Sequence, residues 1–366
     1  MTPYNSARTT ADGAQPAGLP ERGQTGRPAA SPSPPHGQRE AWPDFARACA
    51  IILVVLFHSR HATWLIGFQN DALADRIWPL VSDVNKPLRM PLFFFISGML
   101  ATSAVTKPWR DIAHKRVWNN LYLYFLWAAI YIAVIPAWPR LDWSSYTVVQ
   151  QILMAIVGDS PAWYLWALTM FFLLARIAAP LPAMMVLAVT FVIATLAPTL
   201  KGTIHPPPRL MLQCLFFFFA GLRFREPAFA LARRAGIVTL ALATPVMLAL
   251  IWAYHKNVFG TFPLAGIACV FWGIIASSLA TRHVPLLRSF GHWMGSRTLQ
   301  VYVLHFLVLT ALLNLAATYL PGAVKGSPLA AIAAPLLLTL VTTLGCLALA
   351  YCLPRLKLGW LLKLPR

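Results

Sequence analysis

From Asp44 onward the chain is a succession of apolar runs separated by short polar breaks, and ten such segments can be drawn: roughly 44–66, 88–106, 117–138, 161–179, 182–198, 209–224, 234–255, 260–281, 297–317 and 328–352. Crossing the hydrocarbon core of a bilayer takes about 17–25 apolar residues in a helix. The segments are too long and too continuously apolar for barrel strands, and backbone groups in lipid must be satisfied internally. The pattern therefore predicts an all-α, polytopic integral membrane protein with about ten transmembrane helices. Pro180 and Pro182 set a tight break between the fourth and fifth segments. A shorter amphipathic stretch at 144–157 is expected to lie at the membrane interface or to re-enter it.

Composition agrees with lipid as the main solvent. Of 366 residues, 58% are hydrophobic and 11% charged, with a mean hydropathy of +0.63; a soluble domain carries about a quarter charged residues. Residues 1–41 differ from the rest, with seven Pro and five Gly and no apolar stretch. That composition predicts a disordered cytoplasmic tail rather than a signal peptide. Residues 42–352 then form the transmembrane domain, and 353–366 a basic cytoplasmic tail.

The net charge of +19 would suggest nucleic acid as a partner of a soluble protein, but in a membrane protein loop cations set orientation. With the N-terminus inside, 21 of the 30 Lys and Arg fall in cytoplasmic regions and nine outside. Both termini are therefore expected to be cytoplasmic, with no nucleic-acid partner. The five cysteines lie in or beside apolar segments without metal-ligand spacing, and no metal is expected.

Candidate chemistry starts in the first segment, which runs from Asp44 through Arg47 to His58. Arg47 and His58 are eleven residues apart, so they share a helix face about 16 Å apart along the axis, with Asp44 one turn before Arg47. An ionisable group within a membrane is a functional candidate by default; the alternative is a histidine satisfied by a neighbouring helix. His61 shares the face nearer its outer end. The second segment contains Pro91-Leu-Phe-Phe-Phe-Ile-Ser97-Gly98, where Ser and Gly more often permit close helix packing than act in catalysis. No Gly-x-Ser-x-Gly elbow is present, which argues against a serine hydrolase.

Together these motifs resemble the membrane acyltransferase-3 family, which includes O-antigen, exopolysaccharide and fucose O-acetylases. The resemblance rests on Asp44-x-x-Arg47-x10-His58 and on the Pro-Leu-Phe-Phe-Phe-Ile-Ser-Gly run. It is joined by Pro161-Ala-Trp163-Tyr164-Leu165, by the helix end at Ala-Gly-Leu-Arg223, and by Gly295-Ser-Arg-Thr-Leu-Gln-Val-Tyr302-Val-Leu-His305. It covers residues 42 to about 350, with the motifs in the family's order. Two departures stand out: Ala48 replaces a common Gly, and the family's Arg-x-x-Arg appears as Arg116-Val-Trp-Asn119, preceded by Lys115.

The resemblance implies transfer of an acyl group, usually acetyl, from acyl-CoA to a hydroxyl of an envelope or extracellular polysaccharide or its lipid-linked precursor. It implies location in a bacterial inner membrane, in contact with lipid. His58 would be the general base, by direct proton abstraction or through a transient acyl-histidine, and Arg47 would orient the donor. Arg47, Lys115 and Arg116 would bind the CoA phosphates, and Asp44, Ser97, Trp163, Tyr302 and His305 would belong to the substrate cavity. No permanently bound cofactor is expected. The rival reading is a transporter of a lipid-linked sugar or an acyl group, which would be expected to show internal repeats that this chain lacks.

Overall fold

The computed structural model describes residues 40–68, 73–134 and 146–365. The expected tail at 1–41 lies outside them except for Glu40 and Ala41. Among the described residues all regular structure is helical, apart from one isolated bridge between Lys201 and Ile204. The order is α1 (Trp42–Leu65), α2 (Ala74–Val105), α3 (Trp109–Ala113), a π-helical turn (His114–Trp118) and α4 (Asn119–Val134). Then come α5 (Val148–Ile156), α6 (Trp163–Ile177), α7 (Ala183–Leu196), α8 (Pro206–Arg223), α9 (Arg225–Arg234) and α10 (Ile237–His255). The last are α11 (Thr261–His283), α12 (Pro285–Gly295), α13 (Thr298–Tyr319), α14 (Gly322–Lys325) and α15 (Pro328–Arg355).

Each of the ten segments read from hydropathy falls on a helix. Among the described residues, eight helices are long and apolar enough to cross a membrane: α1, α2, α3 with α4, α7 with its 3-10 extension, α10, α11, α13 and α15. The other two are α6, which is apolar but shorter, and α8, whose 18 residues open with Pro-Pro-Pro-Arg. The protein is thus a polytopic all-α membrane protein. The amphipathic stretch at 144–157 holds α5, closed at its start by a reciprocal Thr147–Gln150 capping box.

Four features differ from the sequence expectation, each where charge or proline masks ordered structure. The second segment was drawn from 88, yet α2 begins at Ala74 and runs through Pro79, Pro87 and Pro91. Its polar first half is held by packing rather than hydropathy. Trp78 is buried and its Nε1 donates to Ala331 O at 3.3 Å, while Asn85 Nδ2 donates to Leu53 O at 3.0 Å. The short helices α9 and α12 carry the basic residues of two connections and were not foreseen. At the other end of the chain, the segment drawn as a tail from 353 is helical to Arg355. Beyond it, the chain docks on α4: Trp127 Nε1 donates to Leu361 O (2.9 Å), Tyr122 Oη to Trp360 O (3.2 Å), and Leu364 N to Asn119 Oδ1 (3.0 Å). Asn119, which departs from the family's second Arg, therefore anchors the C-terminal segment.

In lipid, helices gain little from apolar burial against one another, and close packing through small residues takes over. The most extensive pairing, α2 on α8, shows this. A Cβ on Gly98 would lie 2.0 Å from Phe218 O, and one on Gly221 2.0 Å from Phe95 O. The glycines are reciprocal, each letting the other helix's backbone in, so the packing reading of Gly98 holds. The same device joins α12 to α1, where Gly295 faces the Asp44 carbonyl.

Candidate active site

The second half of α1, the middle of α2, and the starts of α6 and α8 enclose a cavity of about 340 Å³. His58 enters it from α1, Trp163 and Tyr164 from α6, and Tyr302 from α13. Three residues expected at the substrate, His58, Trp163 and Tyr302, are thus brought together across more than 240 residues of chain.

His305 lies behind His58 rather than in the cavity lining. Their ring centroids are 5.3 Å apart, and His305 is 2% exposed. His305 Nδ1 is 2.6 Å from Tyr302 O. A carbonyl only accepts, so Nδ1 carries the hydrogen and Nε2 of the neutral ring is left as an acceptor. That Nε2 is buried with no hydrogen-bond partner among the described residues. His305 therefore presents a lone pair to its surroundings beside the His58 ring. His61, by contrast, is exposed and stacks on Trp64.

Ser97, expected in the substrate cavity, sits outside its lining and is hydrogen-bonded to Tyr164 instead. Its Oγ is 2.7 Å from Tyr164 Oη and donates to Phe93 O at 2.8 Å, which leaves the Tyr164 hydroxyl as donor in that pair. Tyr164 N donates to Tyr302 Oη (3.0 Å), and Tyr302 Oη donates to Pro161 O (3.2 Å). Ser97, Tyr164 and Tyr302 thus form one hydrogen-bonded wall joining α2, α6 and α13.

Asp44 and Arg47 are not in the cavity, which corrects the expectation for Asp44. They lie at the start of α1, where Arg47 Nη2 donates to Thr298 Oγ1 (2.9 Å) and Nη1 is 3.8 Å from Asp44. His292 Nδ1 is 3.6 Å from the other Asp44 oxygen. Asp44 thus ties α1 to α12. Arg116 is half-buried and donates from Nη2 to Leu100 O at 2.7 Å, while Lys115 is exposed. Both stand on the π-helical turn, a deviation that recurs at functional sites and that periodicity cannot reveal. Arg47 and Arg116 lie within electrostatic reach of each other and of Tyr164. Tyr164 thus lines the His58 cavity and also lies within reach of the two guanidiniums, which do not line it.

Sequence reasoning missed the cations of the cavity itself, Lys86, Arg89 and Arg209, together with Gln213. Each of these cations counts only toward orientation in the sequence, Lys86 because the second segment starts at 88, and Arg89 and Arg209 because they stand at the ends of theirs. The signal that could have found them is the Asn85-Lys-Pro-Leu-Arg89 cluster with no carboxylate inside it. Beyond the cavity rim, His205 Nδ1 is 2.9 Å from the buried Asp159, linking the α5–α6 turn to the start of α8. Burial pushes the Asp159 carboxyl up, and the adjacent imidazole opposes that shift.

A helical bundle with His58 and a hydrogen-bonded tyrosine wall at one cavity, and two guanidiniums near that wall, defines a polar site among apolar helices. Residues 40–352 match the family described as the acyltransferase domain, and the chain belongs to that family. The chain is also similar to the inner membrane protein YcfT of Escherichia coli (strain K12), 30% identical over 179 residues; the match covers 42% of this chain and 50% of that protein. The chain thus spans about half the length of the curated relative it matches. No solved structure matches it.

Proposed function

We propose that the protein transfers an acyl group, acetyl in the simplest case, from acyl-CoA to a hydroxyl of an envelope carbohydrate or its lipid-linked precursor, in a bacterial inner membrane. The observation that carries this reading is His58, half-buried in the cavity of an acyltransferase-family chain and backed by a second histidine whose Nε2 is free to accept. A sugar hydroxyl is a poor nucleophile at neutral pH and needs a base of moderate strength, which imidazole supplies. His58 takes the hydroxyl proton as the oxygen attacks the thioester carbonyl. The C–S bond then breaks, CoA leaves as thiolate, and the proton on His58 is available to it. His305 steadies the imidazolium through its Nε2 lone pair.

The donor is read outside the cavity lining. CoA is polyanionic, and Arg47, Lys115 and Arg116 offer cations there, with guanidinium groups suited to phosphate. The excess of basic residues in the regions assigned inside, 21 against nine, supports cytoplasmic termini and hence a cytoplasmic donor side. Reporter fusions after Leu320 should read periplasmic and fusions at Arg366 cytoplasmic; the reverse at both sites would turn the donor side outward.

Release of CoA thiol from acetyl-CoA by membranes containing the protein, with a carbohydrate acceptor extract, tests the activity. Absence of release, with movement of a glycolipid across the membrane instead, would replace it with transport. In the same assay Arg116→Ala should raise KM for acetyl-CoA more than it lowers kcat, as removal of uniform binding does. Arg116→Lys should recover part of the loss. An unchanged KM in the alanine variant would leave Arg116 the role seen at Leu100, fastening the π turn to α2.

A further inference from the structure

We infer that the acceptor is anionic, and that the His58 cavity binds it through an oxyanion seated on Arg89. This rests on the acyl-transfer reading above and names the substrate class of its acceptor side. Arg89 is 5% exposed and lines the cavity, and its Nη1 has no hydrogen-bond partner among the described residues. Its guanidinium carbon lies 4.0 Å from the centroid of the Phe57 ring. Lys86 and Arg209 line the same cavity, and among the described residues no carboxylate lines it. A buried charge is normally paired, because desolvation without a partner is costly. Within a membrane such a group marks a substrate path.

A second orphan points the same way. Gln213, 4% exposed and on the same cavity wall, has an Oε1 with no donor among the described residues. Native proteins leave few buried polar atoms unsatisfied. An amide oxygen accepts from a hydroxyl, a guanidinium donates to a carboxylate or phosphate, and His58 accepts a hydroxyl proton. The three fit one molecule: a sugar carrying an oxyanion beside its free hydroxyls. Its volume also suits a single sugar residue, since ligand pockets start at about 300 Å³. The oxyanion is either a uronic carboxylate or a phosphate ester, and both present the oxygens that a guanidinium fork accommodates.

The test uses the full-length protein in lipid nanodiscs and three probes: methyl glucuronide, glucose 6-phosphate and neutral methyl glucoside. Calorimetry should give at least one anionic probe an affinity about tenfold or more above that of methyl glucoside; which of the two leads identifies the oxyanion. In Arg89→Gln, which removes a buried charge and so keeps the fold, that preference should fall to within about threefold, with Arg89→Lys retaining part of it. Equal binding of all three probes, or a preference that survives in Arg89→Gln, overturns the proposal. So does loss of acetyl-CoA affinity in Arg89→Gln without any glycoside preference, which would give the guanidinium to the donor. CoA release in the same samples separates this inference from the activity it rests on. Charge preference without release in any sample would sustain the anion site and end the acyl-transfer reading. Release at equal kcat/KM with neutral and anionic acceptors would sustain acyl transfer and end the anion site.

Discussion

His58→Gln is expected to lower acyl-transfer turnover by at least about 100-fold while leaving membrane abundance unchanged. Base assistance typically contributes about 10²–10⁴-fold, and glutamine keeps the side chain's size and hydrogen bonding but cannot take a proton. His58→Ala should be similarly inactive. His61→Ala should be mild, because His61 is exposed and meets Trp64 rather than the cavity. His305 acts through His58, so His305→Gln should reduce turnover less and move the pH profile of kcat, since it alters the group that supports the imidazolium. A structural histidine would change abundance or melting and leave that profile in place. Near-normal turnover in His58→Gln at normal abundance would remove His58 as the base and shift the assignment to His305.

The sequence made the lipid-facing part of this architecture legible because hydropathy reports directly on a segment's solvent. Every segment it marked is a helix, including α6 and α8, which are short or proline-headed. It also aligned His58, Trp163 and Tyr302 through local motifs. It was blind where a helix is stabilised by neighbours rather than by its own apolarity. Residues 74–87 of α2 are polar and proline-rich, and their helix depends on Trp78 and Asn85 reaching α15 and α1. A start at 88 leaves Lys86 in a loop, whereas Arg89 and Arg209 fall inside their segments near the ends and count there only as charges that set orientation. Asp44 failed for another reason. Helical spacing places it on the face of His58 but says nothing of depth, and α12 claims it at the helix start through His292. The C-terminal segment likewise looked like a tail because three side chains on α4, far away in sequence, hold it.

The second large effect is expected at the contact of α2 with α8. In an isolated helix, Gly→Ala stabilises by about 0.5–1 kcal/mol. At Gly98 the added Cβ would sit 2.0 Å from Phe218 O and 2.9 Å from Phe218 C, both backbone atoms of the facing helix. No rotamer change relieves that, so the helices must move apart along their whole contact. Overpacking typically costs about 1–3 kcal/mol; with backbone on both sides, Gly98→Ala should reach or exceed the upper end and outweigh the helix propensity. Because α2 carries Arg89 and α8 carries Arg209 and Gln213, separation also deforms the cavity, and acyl transfer should fall together with thermal stability in detergent. Gly221→Ala should behave alike, with its Cβ 2.0 Å from Phe95 O. The double variant should lose less than the sum of the two, since the first displacement already makes room for the second. Gly322→Ala, where a Cβ meets nothing within 4 Å, is the control and should melt as the unchanged protein does. A Gly98→Ala protein with the same melting temperature as that control would mean that α2 and α8 do not approach backbone to backbone, and the cavity between them would have to be redrawn.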